Sequence, residues 1–241
     1  MHVIEYENLR NFAYSNDRIV KQPIRGLVLS FFGLGCTDMY SDDPKAGKFF
    51  AEKGILYLVP YNNPWAWMNR QAVAYTDALV DCLLRRYALP DGLPIVSTGG
   101  SMGGQSALVY MVYARRTPIA CVANCPVCDM PYHYTERPDL PRTLYSAIFN
   151  KAGSLDDALR AISPLDLADR MPDAAYYIFH CEADQAVNQA KHSDRFVEKM
   201  RPGHRVVYHS VPGRGHCDLP DDMQKLYLQY AADAIEGARV K

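Results

Sequence analysis

The chain has 241 residues, of which 49% are hydrophobic and 22% charged, and its net charge is -1. This composition is that of a folded globular protein, and because no basic stripe is present we expect neither a nucleic acid nor an anionic membrane as partner. No apolar stretch reaches the ~18 residues of a transmembrane helix, and the mixed, acidic N-terminus is unlike a secretory signal. Seven scattered cysteines predict reduced thiols, so we expect a cytoplasmic protein.

Short apolar runs alternate with helical runs along the chain. Predicted strands cover residues 26–32, 55–59, 93–98, 119–124, 175–180 and 205–211. Predicted helices cover residues 44–53, 69–87, 103–114, 189–200 and 221–236, and Gly54 is expected to end the first of them. This alternation predicts an α/β fold, in which a mainly parallel sheet has helices on both faces. Residues 1–22 are expected to add one or two antiparallel edge strands, and residues 1–241 to form a single domain.

Residues 126–164 interrupt this rhythm between two predicted strands. They begin with a proline-rich stretch and continue with two short helical runs, and Ser154 with Asp157 has the spacing of a capping box for the second run. An insertion at this point lies over the carboxyl ends of the strands, so we expect a small cap. The alternative is a surface excursion with no role.

The sequence Gly-Gly-Ser-Met-Gly-Gly at residues 99–104 lies between a predicted strand and a predicted helix. G-x-S-x-G in that context is typical of a nucleophile elbow, a tight turn that raises a serine hydroxyl above a parallel sheet. The pattern therefore predicts Ser101 as the covalent nucleophile of a hydrolase or acyl transferase.

A serine nucleophile needs a base within hydrogen-bond reach and an acid that orients the base. In α/β-hydrolases the chain order is Ser, then Asp or Glu, then His. Asp184 and His216 follow two later predicted strands in that order, so we expect both at the same sheet edge as Ser101. The other candidates are expected to have structural or surface roles: Glu182, Asp166, His133, His180, His192 and His209.

Two backbone N–H groups are expected to bind the oxyanion of the tetrahedral intermediate. The first belongs to Met102, directly after the nucleophile. The second is assigned to Leu34, in the glycine-rich loop at residues 31–35 that follows the first long strand. The alternative for that loop is a plain turn at a strand end.

Four segments resemble motifs of the α/β-hydrolase superfamily. They are GGSMGG at residues 99–104, SPLDLADRMP at 163–172, HCEADQAV at 180–187 and GRGH at 213–216. The chain is most similar, over residues 26–235, to the prolyl-oligopeptidase-like and dienelactone-hydrolase-like serine esterases. The resemblance implies a Ser101, Asp184 and His216 triad that hydrolyses an ester or amide through an acyl-enzyme. The chain departs from the family pattern at Phe32, where His is usual, and at Cys181, where Gly is usual.

Aromatic side chains near the sheet edge are the candidates for substrate binding. Trp65 and Trp67 follow a predicted strand and are expected to line the cleft and hold an apolar or aromatic group, or else to anchor a packed loop. In the expected cap, Tyr132, His133, Tyr134 and Arg137 are candidates for a polar or anionic part of the substrate.

Five cysteines follow predicted strand ends or flank the triad residues: Cys36, Cys125, Cys128, Cys181 and Cys217. Small apolar thiols that fill tight packing explain such positions, and an oxidation-sensitive rim is the alternative.

We expect a serine hydrolase of a small acyl ester that requires no metal or organic cofactor. A peptidase or thioesterase with the same triad, and a non-catalytic ligand-binding protein on the same fold, are the other hypotheses.

Overall fold

The structure, a computed structural model, describes residues 4–149 and 153–238. Within these ranges seven strands form one sheet in the order β1-β3-β2-β4-β5-β6-β7. The strands are β1 (Ala13–Ser15), β2 (Gly26–Phe31), β3 (Ile55–Pro60), β4 (Ile95–Gly100), β5 (Ala120–Asn124), β6 (Ala175–Cys181) and β7 (Arg205–Val211). The edge strand β1 pairs antiparallel with β3, and every other pairing is parallel. The predicted sheet, with an antiparallel edge strand, is confirmed.

The helices follow the strands as the alternation predicts. They are α1 (Lys45–Glu52), α2 (Arg70–Arg86), α3 (Met102–Tyr113), α4 (Met130–Glu136), α5 (Leu140–Ile148), α6 (Leu155–Arg160), α7 (Pro164–Leu167), α8 (Ser193–Met200) and α9 (Asp221–Gly237). Asn69 caps α2 by accepting a hydrogen bond from the N–H of Ala72. Gly54, with φ of 69°, follows α1 as predicted. No helix of the described residues is long and apolar enough to cross a membrane.

The sheet has a hydrophobic cluster on each face, because its central strands are buried on both sides. In β2, Leu27 and Leu29 belong to one cluster and Val28 to the other. Helices α2 and α3 contribute to the first cluster, and α1 and α9 to the second. Helices thus cover both faces of the six parallel strands. The carboxyl ends of these strands lie at one edge of the sheet, which is where ligands bind in such folds.

The helix predicted over residues 189–200 is shorter than expected, and this prediction was wrong at its N-terminus. His192 has a φ of -108° and a ψ of -85°, so it precedes α8 as its N-cap. Its N–H donates to the carbonyls of Asn188 and Gln189, which form a tight turn. The ring of His192 is therefore directed into the protein and is fully buried.

Four helices of the described residues, α4 to α7, begin within segment 126–164, whereas the sequence predicted two. Pro131, Pro141 and Pro164 each lie in the first turn of a helix, where a missing N–H costs nothing. Ser154 caps α6 by accepting from the N–H of Asp157 at 3.1 Å, as its spacing predicted. Residues 150–152 of this segment, and residues 1–3 and 239–241 of the predicted domain, lie outside the described residues.

Candidate active site

The turn between β4 and α3 carries Ser101 in a strained conformation. Its φ of 58° and ψ of -125° are unusual for a residue with a side chain. The surrounding backbone is closely packed, since a Cβ on Gly103 would lie 2.1 Å from the carbonyl oxygen of Phe31. A Cβ on Gly99 would lie 2.2 Å from the carbonyl oxygen of Gly103. Glycine at both positions therefore lets strand and helix approach and leaves Ser101 at the tip of the turn.

Strand β5 holds this turn in place. The N–H of Ser101 donates to the carbonyl of Asn124 at 2.9 Å, and the carbonyl of Ser101 accepts from the N–H of Gln105 at 3.0 Å. Helix α3 thus begins directly after Ser101, while the serine hydroxyl caps no helix N–H. The hydroxyl is left available to the cavity above the sheet edge.

Asp184 lies in the loop after β6 as a buried carboxylate. Its Oδ1 accepts from the N–H groups of Ala186 and Val187 at 2.8 and 2.9 Å. Its Oδ2 accepts from Nδ1 of His216 at 2.6 Å. Burial alone would raise the pKa of Asp184, but the hydrogen bond from His216 and those from the backbone outweigh it and hold this pKa below its usual value. The carboxylate is therefore ionised and its orientation is fixed.

His216 lies in the loop after β7 and is paired with that carboxylate. Burial would lower its pKa, but the hydrogen bonds to Asp184 and then to Cys125 outweigh it and raise the pKa of His216 to about 9. Because Nδ1–H donates to Asp184, the neutral ring carries its lone pair on Nε2. This is the atom that a general base uses in a Ser-His-Asp triad.

The competing acids and histidines near the edge make structural contacts instead. Glu182 accepts from the hydroxyl of Ser210 at 2.8 Å. His209 hydrogen-bonds the hydroxyl of Tyr230 through Nε2 at 3.0 Å. Both ring nitrogens of the buried His180 have partners, which are Ser193 Oγ at 2.7 Å and the carbonyl of Val187 at 3.1 Å. None of these side chains lines the cavity that holds Ser101, as far as the described residues show.

Ser101 and His216 line the same cavity, which has a volume of about 470 Å³. Among the described residues, His216 hydrogen-bonds Asp184, and no hydrogen bond joins the side chains of Ser101 and His216. The Nε2 atom of His216 lies instead 3.8 Å from Sγ of Cys217. The structure thus brings the predicted acid and base together and places the predicted nucleophile in their cavity. The contact between base and nucleophile is not formed in this state.

The loop after β2 brings Leu34 to the cavity, where the sequence places the second oxyanion donor. A Cβ on Gly33 would lie 3.9 Å from Cβ of Ser101, so the loop runs beside the nucleophile candidate. Within the described backbone, the N–H groups of Leu34 and Met102 donate to no other main-chain carbonyl outside the regular elements. Both donors are therefore available to a bound oxyanion.

Phe32, where the chain departs from the motif pattern that it resembles, contributes an aromatic ring to this region. Its ring stacks on Tyr40 and Tyr61, with ring centroids 5.9 and 6.4 Å apart. Since an oxyanion donor of this loop is a backbone N–H, the replacement of the side chain changes the cavity wall and leaves the donor in place.

The rest of the cavity wall comes from Trp67 and from helix α4. Trp67 is only 1% exposed, and its Nε1–H donates to the hydroxyl of Thr143 at 3.2 Å. His133 packs against Trp67, with ring centroids 5.5 Å apart. Arg137 also lines the cavity and forms a bidentate ion pair with Asp139. Segment 126–164 therefore supplies part of the wall opposite the sheet edge.

Two of the predicted substrate-binding residues lie elsewhere. Trp65 is 43% exposed and lines a separate cavity of about 640 Å³, because the turn that begins at Asn63 directs Trp65 and Trp67 to opposite sides. Tyr132 lines an outer cleft with Glu136. Successive residues of a helix face directions about 100° apart, so Tyr132 points away from the cavity that the next residue, His133, lines. The expectation that Trp65 and Tyr132 line the cavity of Ser101 is corrected accordingly.

A buried network beside this cavity was missed by sequence reasoning. The Oε2 atom of Glu136 lies 2.6 Å from Nδ1 of His133 and 3.0 Å from Nε2 of His192. Nδ1 of His192 accepts from the N–H groups of Cys128 and Asp129, so its Nε2 carries the proton and donates to Glu136. The spacing of His133 and Glu136 on one helix was visible, but His192 is distant in the chain and nothing in its sequence context pointed to them.

The protonation states of this network follow from its contacts. Burial would raise the pKa of Glu136, but hydrogen bonds from His133 and His192 outweigh it and keep this pKa far below its usual value. Burial lowers the pKa of His133 despite its bond to Glu136. His133 is therefore neutral, donates from Nδ1, and has Nε2 as its hydrogen-bond acceptor.

Three groups of side chains in the described part of the chain are close enough to hold a metal ion. They are Cys125 with His216 and Cys217, Cys125 with His180 and Asp184, and His133 with Glu136 and His192. All seven cysteines are free thiols. Of the five cysteines expected at the rim, Cys125, Cys181 and Cys217 do cluster beside His216, whereas Cys128 is buried next to the network of His192.

The sheet order, the strained elbow at Ser101 and the Asp184–His216 pair at the carboxyl edge define an α/β-hydrolase fold. Residues 37–232 match the prolyl oligopeptidase family, so the chain belongs to that family, whose members are serine hydrolases. This confirms the resemblance seen in the motifs. No curated protein matches the chain.

Several solved structures have the same fold at low sequence identity. A puromycin hydrolase is 17% identical with a TM-score of 0.74, over 90% of this chain and 35% of its own. An acylaminoacyl peptidase from Pyrococcus horikoshii is 14% identical with a TM-score of 0.68, over 88% of this chain and 37% of its own. Esterase 2 from Thermogutta terrifontis, bound to propionate, is 18% identical with a TM-score of 0.64, over 94% of this chain and 89% of its own. The chain thus spans about a third of the length of the first two proteins and most of the third.

Proposed function

We propose that this protein is a serine hydrolase that cleaves small acyl esters through an acyl-enzyme. Ser101 is the nucleophile, His216 the general base and acid, and Asp184 the group that orients His216. The observation that carries the proposal is the 2.6 Å hydrogen bond between Asp184 and His216 at the cavity where Ser101 occupies a strained turn.

The reaction proceeds in two halves that use one proton relay. Ser101 Oγ attacks the acyl carbonyl carbon while Nε2 of His216 takes the hydroxyl proton. The tetrahedral intermediate collapses, the bond to the alcohol breaks, and His216 returns the proton to the departing oxygen. Water then attacks the acyl-enzyme by the same relay, which releases the acid and restores Ser101. Asp184 keeps the proton of His216 on Nδ1 and stabilises the imidazolium during each half.

Formation of the Ser101–His216 hydrogen bond is part of this proposal. In this state Nε2 of His216 lies beside Sγ of Cys217, at 3.8 Å. Catalytic hydrogen bonds are often long in free enzymes and tighten in the substrate complex. A rotation of the Ser101 side chain, with a small shift of the imidazole, brings the two groups together when an acyl group enters the cavity.

The N–H groups of Leu34 and Met102 bind the oxyanion of the intermediate. Their position is supported by the course of the loop beside Ser101, because a Cβ on Gly33 would lie 3.9 Å from Cβ of Ser101, an ordinary contact distance. Loss of one such donor typically costs about 3–4 kcal/mol of transition-state stabilisation. Because both donors are main-chain groups, we expect substitutions of the Leu34 side chain to be tolerated better than a change of the loop backbone.

A small acyl group suits the cavity, and segment 126–164 acts as its cap. The volume of about 470 Å³ is at the lower end of the range for ligand sites. Trp67 and Phe32 give it apolar walls, and the Thermogutta esterase with bound propionate is an example of a small acyl ligand on this fold. The free thiols support a reducing, cytoplasmic location.

Hydrolysis of an amide or peptide is the second candidate function, favoured by the cap side of the cavity. His133 offers Nε2 as an acceptor for a substrate N–H, and Arg137 lies at the same wall. An acylamino group carries such a donor, whereas a simple ester does not. The family name and the acylaminoacyl peptidase of the same fold agree with this alternative.

A substrate panel separates the two candidates. We would measure kcat and KM for matched acetyl and propionyl esters, the corresponding thioesters and aminoacyl amides, with wild type and Ser101→Ala. The proposal predicts turnover of the small esters that Ser101→Ala lacks. Preference for the amides would favour the peptidase, and ester hydrolysis that survives in Ser101→Ala would overturn the triad.

A further inference from the structure

Two thiols that the hydrolytic mechanism does not use, those of Cys125 and Cys217, form a compact set of ligand atoms with the proposed base, His216. Sγ of Cys125, Sγ of Cys217 and a ring nitrogen of His216 all lie within 4.8 Å of one another. The distance from Cys217 Sγ to His216 Nε2 is 3.8 Å. In a tetrahedral zinc site with Zn–S of about 2.3 Å and Zn–N of about 2.0 Å, sulfur and nitrogen are about 3.5 Å apart. The three atoms are thus close to the spacing that a zinc ion needs.

The hydrogen bonding of His216 is that of a metal ligand as well as that of a general base. Asp184 accepts from Nδ1–H at 2.6 Å and leaves the lone pair on Nε2, directed toward the thiols. A histidine that donates its other N–H to a carboxylate is the usual outer-shell arrangement of zinc sites. Since the base and the metal ligand would use the same lone pair, a cation bound here removes the base from Ser101.

The thiols differ in access, and together they form a site open on one side. Cys125 is fully buried, and its Sγ accepts from the N–H of Cys181 at 3.4 Å. Cys217 is half-buried and lines the cavity together with His216. An ion in the cavity therefore reaches the Cys217 thiol and the His216 ring. The backbone holds both cysteines in place, with φ of 44° at Cys125 and 58° at Cys217.

A neighbouring polar atom has no partner in the described residues. The side chain of Asn124 is 7% exposed and donates from Nδ2 to the carbonyl of Cys217, but its Oδ1 is buried without a hydrogen bond. Buried unpaired oxygens are uncommon and call for a water or ion. This unpaired oxygen lies on the residue before Cys125 and is linked to Cys217, so it is an independent sign that the cluster accommodates a further group.

The other two candidate groups are closed by their own hydrogen bonds. In the network of Glu136, Nδ1 of His192 accepts from two backbone N–H groups, so a metal on its Nε2 would require an imidazolate. In the group of His180, both ring nitrogens already have partners. Of the three groups that the described residues form, the cluster of Cys125, His216 and Cys217 is the one that combines a histidine lone pair with two thiols, which a soft cation prefers.

We propose that Cys125, His216 and Cys217 form an inhibitory site for a soft divalent cation, of which Zn²⁺ is the best match. On binding, both thiols and, below about pH 9, Nε2 of His216 release a proton to solvent. Two metal–sulfur bonds and one metal–nitrogen bond form, and a water from the cavity completes the tetrahedron. Two thiolates balance the charge of the cation. The inhibitory consequence rests on the proposed function, whereas the binding itself does not.

The test measures binding and activity separately on the full chain. The protein is freed of metal with a chelator, and Zn²⁺ is titrated in competition with a chromophoric chelator. Cd²⁺ is used in parallel, because cadmium–thiolate bonds add an ultraviolet absorption. Labelling by a fluorophosphonate is then timed with and without Zn²⁺. Cys217→Ser is the test variant because this side chain is half-exposed, and Cys36→Ser, a partly exposed thiol outside the cluster, is the matched control.

We expect one Zn²⁺ per chain, a cadmium–thiolate band, and labelling that falls at least about tenfold and recovers with chelator, in wild type and in Cys36→Ser. Cys217→Ser should bind at least about tenfold more weakly. Equal affinity in wild type and Cys217→Ser, no binding, or binding that leaves labelling unchanged would overturn the proposal. If metal-free wild type is not labelled at all, the proposed hydrolase fails, and the zinc and cadmium titrations still decide whether the site exists.

Discussion

Asp184 Oδ2 and His216 Nδ1 lie 2.6 Å apart, although 32 residues separate them in the chain. The pair forms because β6 and β7 are parallel neighbours, so the loops that follow them start at the same edge of the sheet. The hydrogen bond lowers the pKa of Asp184 and raises the pKa of His216, so it favours the carboxylate and the imidazolium.

The pH dependence of kcat/KM should rise from pH 7 toward 9. His216 must be neutral to take the Ser101 proton, and because its pKa is raised to about 9, the protonated and inactive form dominates below that pH. Asp184→Asn removes the anion that raises this pKa, so the acid limb should move to lower pH while the maximum rate falls. Rates measured in the presence of a chelator from pH 5.5 to 10 check this. An acid limb that stays in place in Asp184→Asn would count against the assigned pair.

Gly103→Ala should destabilise the protein and abolish activity. Its Cβ would lie 2.1 Å from the backbone oxygen of Phe31, which cannot move without breaking the contact of α3 with β2. We expect a loss of about 1–3 kcal/mol in the free energy of unfolding. Gly203→Ala is the matched control, because nothing lies within 4 Å of its Cβ, and a change below about 0.5 kcal/mol is expected there. Urea denaturation measures both, and equal effects would contradict the packing of the elbow.

Glu136→Gln should destabilise the cap side of the cavity by about 1.5–3 kcal/mol at pH 7, since a buried carboxylate with charge-assisted hydrogen bonds is lost. The pKa of Glu136 is below its usual value, so its contribution is present above about pH 4 and declines as the pH falls through the folded pKa. Denaturation at pH 7 and pH 4 should show a smaller gap between wild type and variant at the lower pH. A gap that widens on acidification would refute this ionisation state.

His133→Phe should change substrate preference through KM more than through kcat. The aromatic ring keeps the packing against Trp67, but the Nε2 acceptor and the Nδ1 donor to Glu136 are lost. The loss of the Glu136 bond affects both sets of substrates equally, whereas the loss of Nε2 affects only those with an N–H. Relative to plain esters of the same size, substrates with an N–H next to the acyl carbonyl should therefore lose affinity by about 0.5–1.5 kcal/mol. A uniform change for both sets would mean that His133 is only a structural residue. Comparison of wild type and variant on one paired set of substrates decides this.

The sequence was sufficient for the sheet and for the position of Ser101, Asp184 and His216, because each follows a strand whose apolar pattern is clear. Side-chain direction in irregular segments was not predictable. Trp67 has a φ of 46°, which periodicity does not predict, and Trp65, two residues earlier, lines a different cavity. The network of Glu136 and His192 depends on a turn that ends before α8, which periodicity could not locate.

Fluorophosphonate labelling measures whether Ser101 is a nucleophile that His216 activates. Metal-free wild type should take up one label per chain on the peptide that contains Ser101, and His216→Asn should react much more slowly. Ser101→Ala should take up none. Folded wild type that resists the probe, or a label that persists in Ser101→Ala, would show that Ser101 is not the activated nucleophile of this protein.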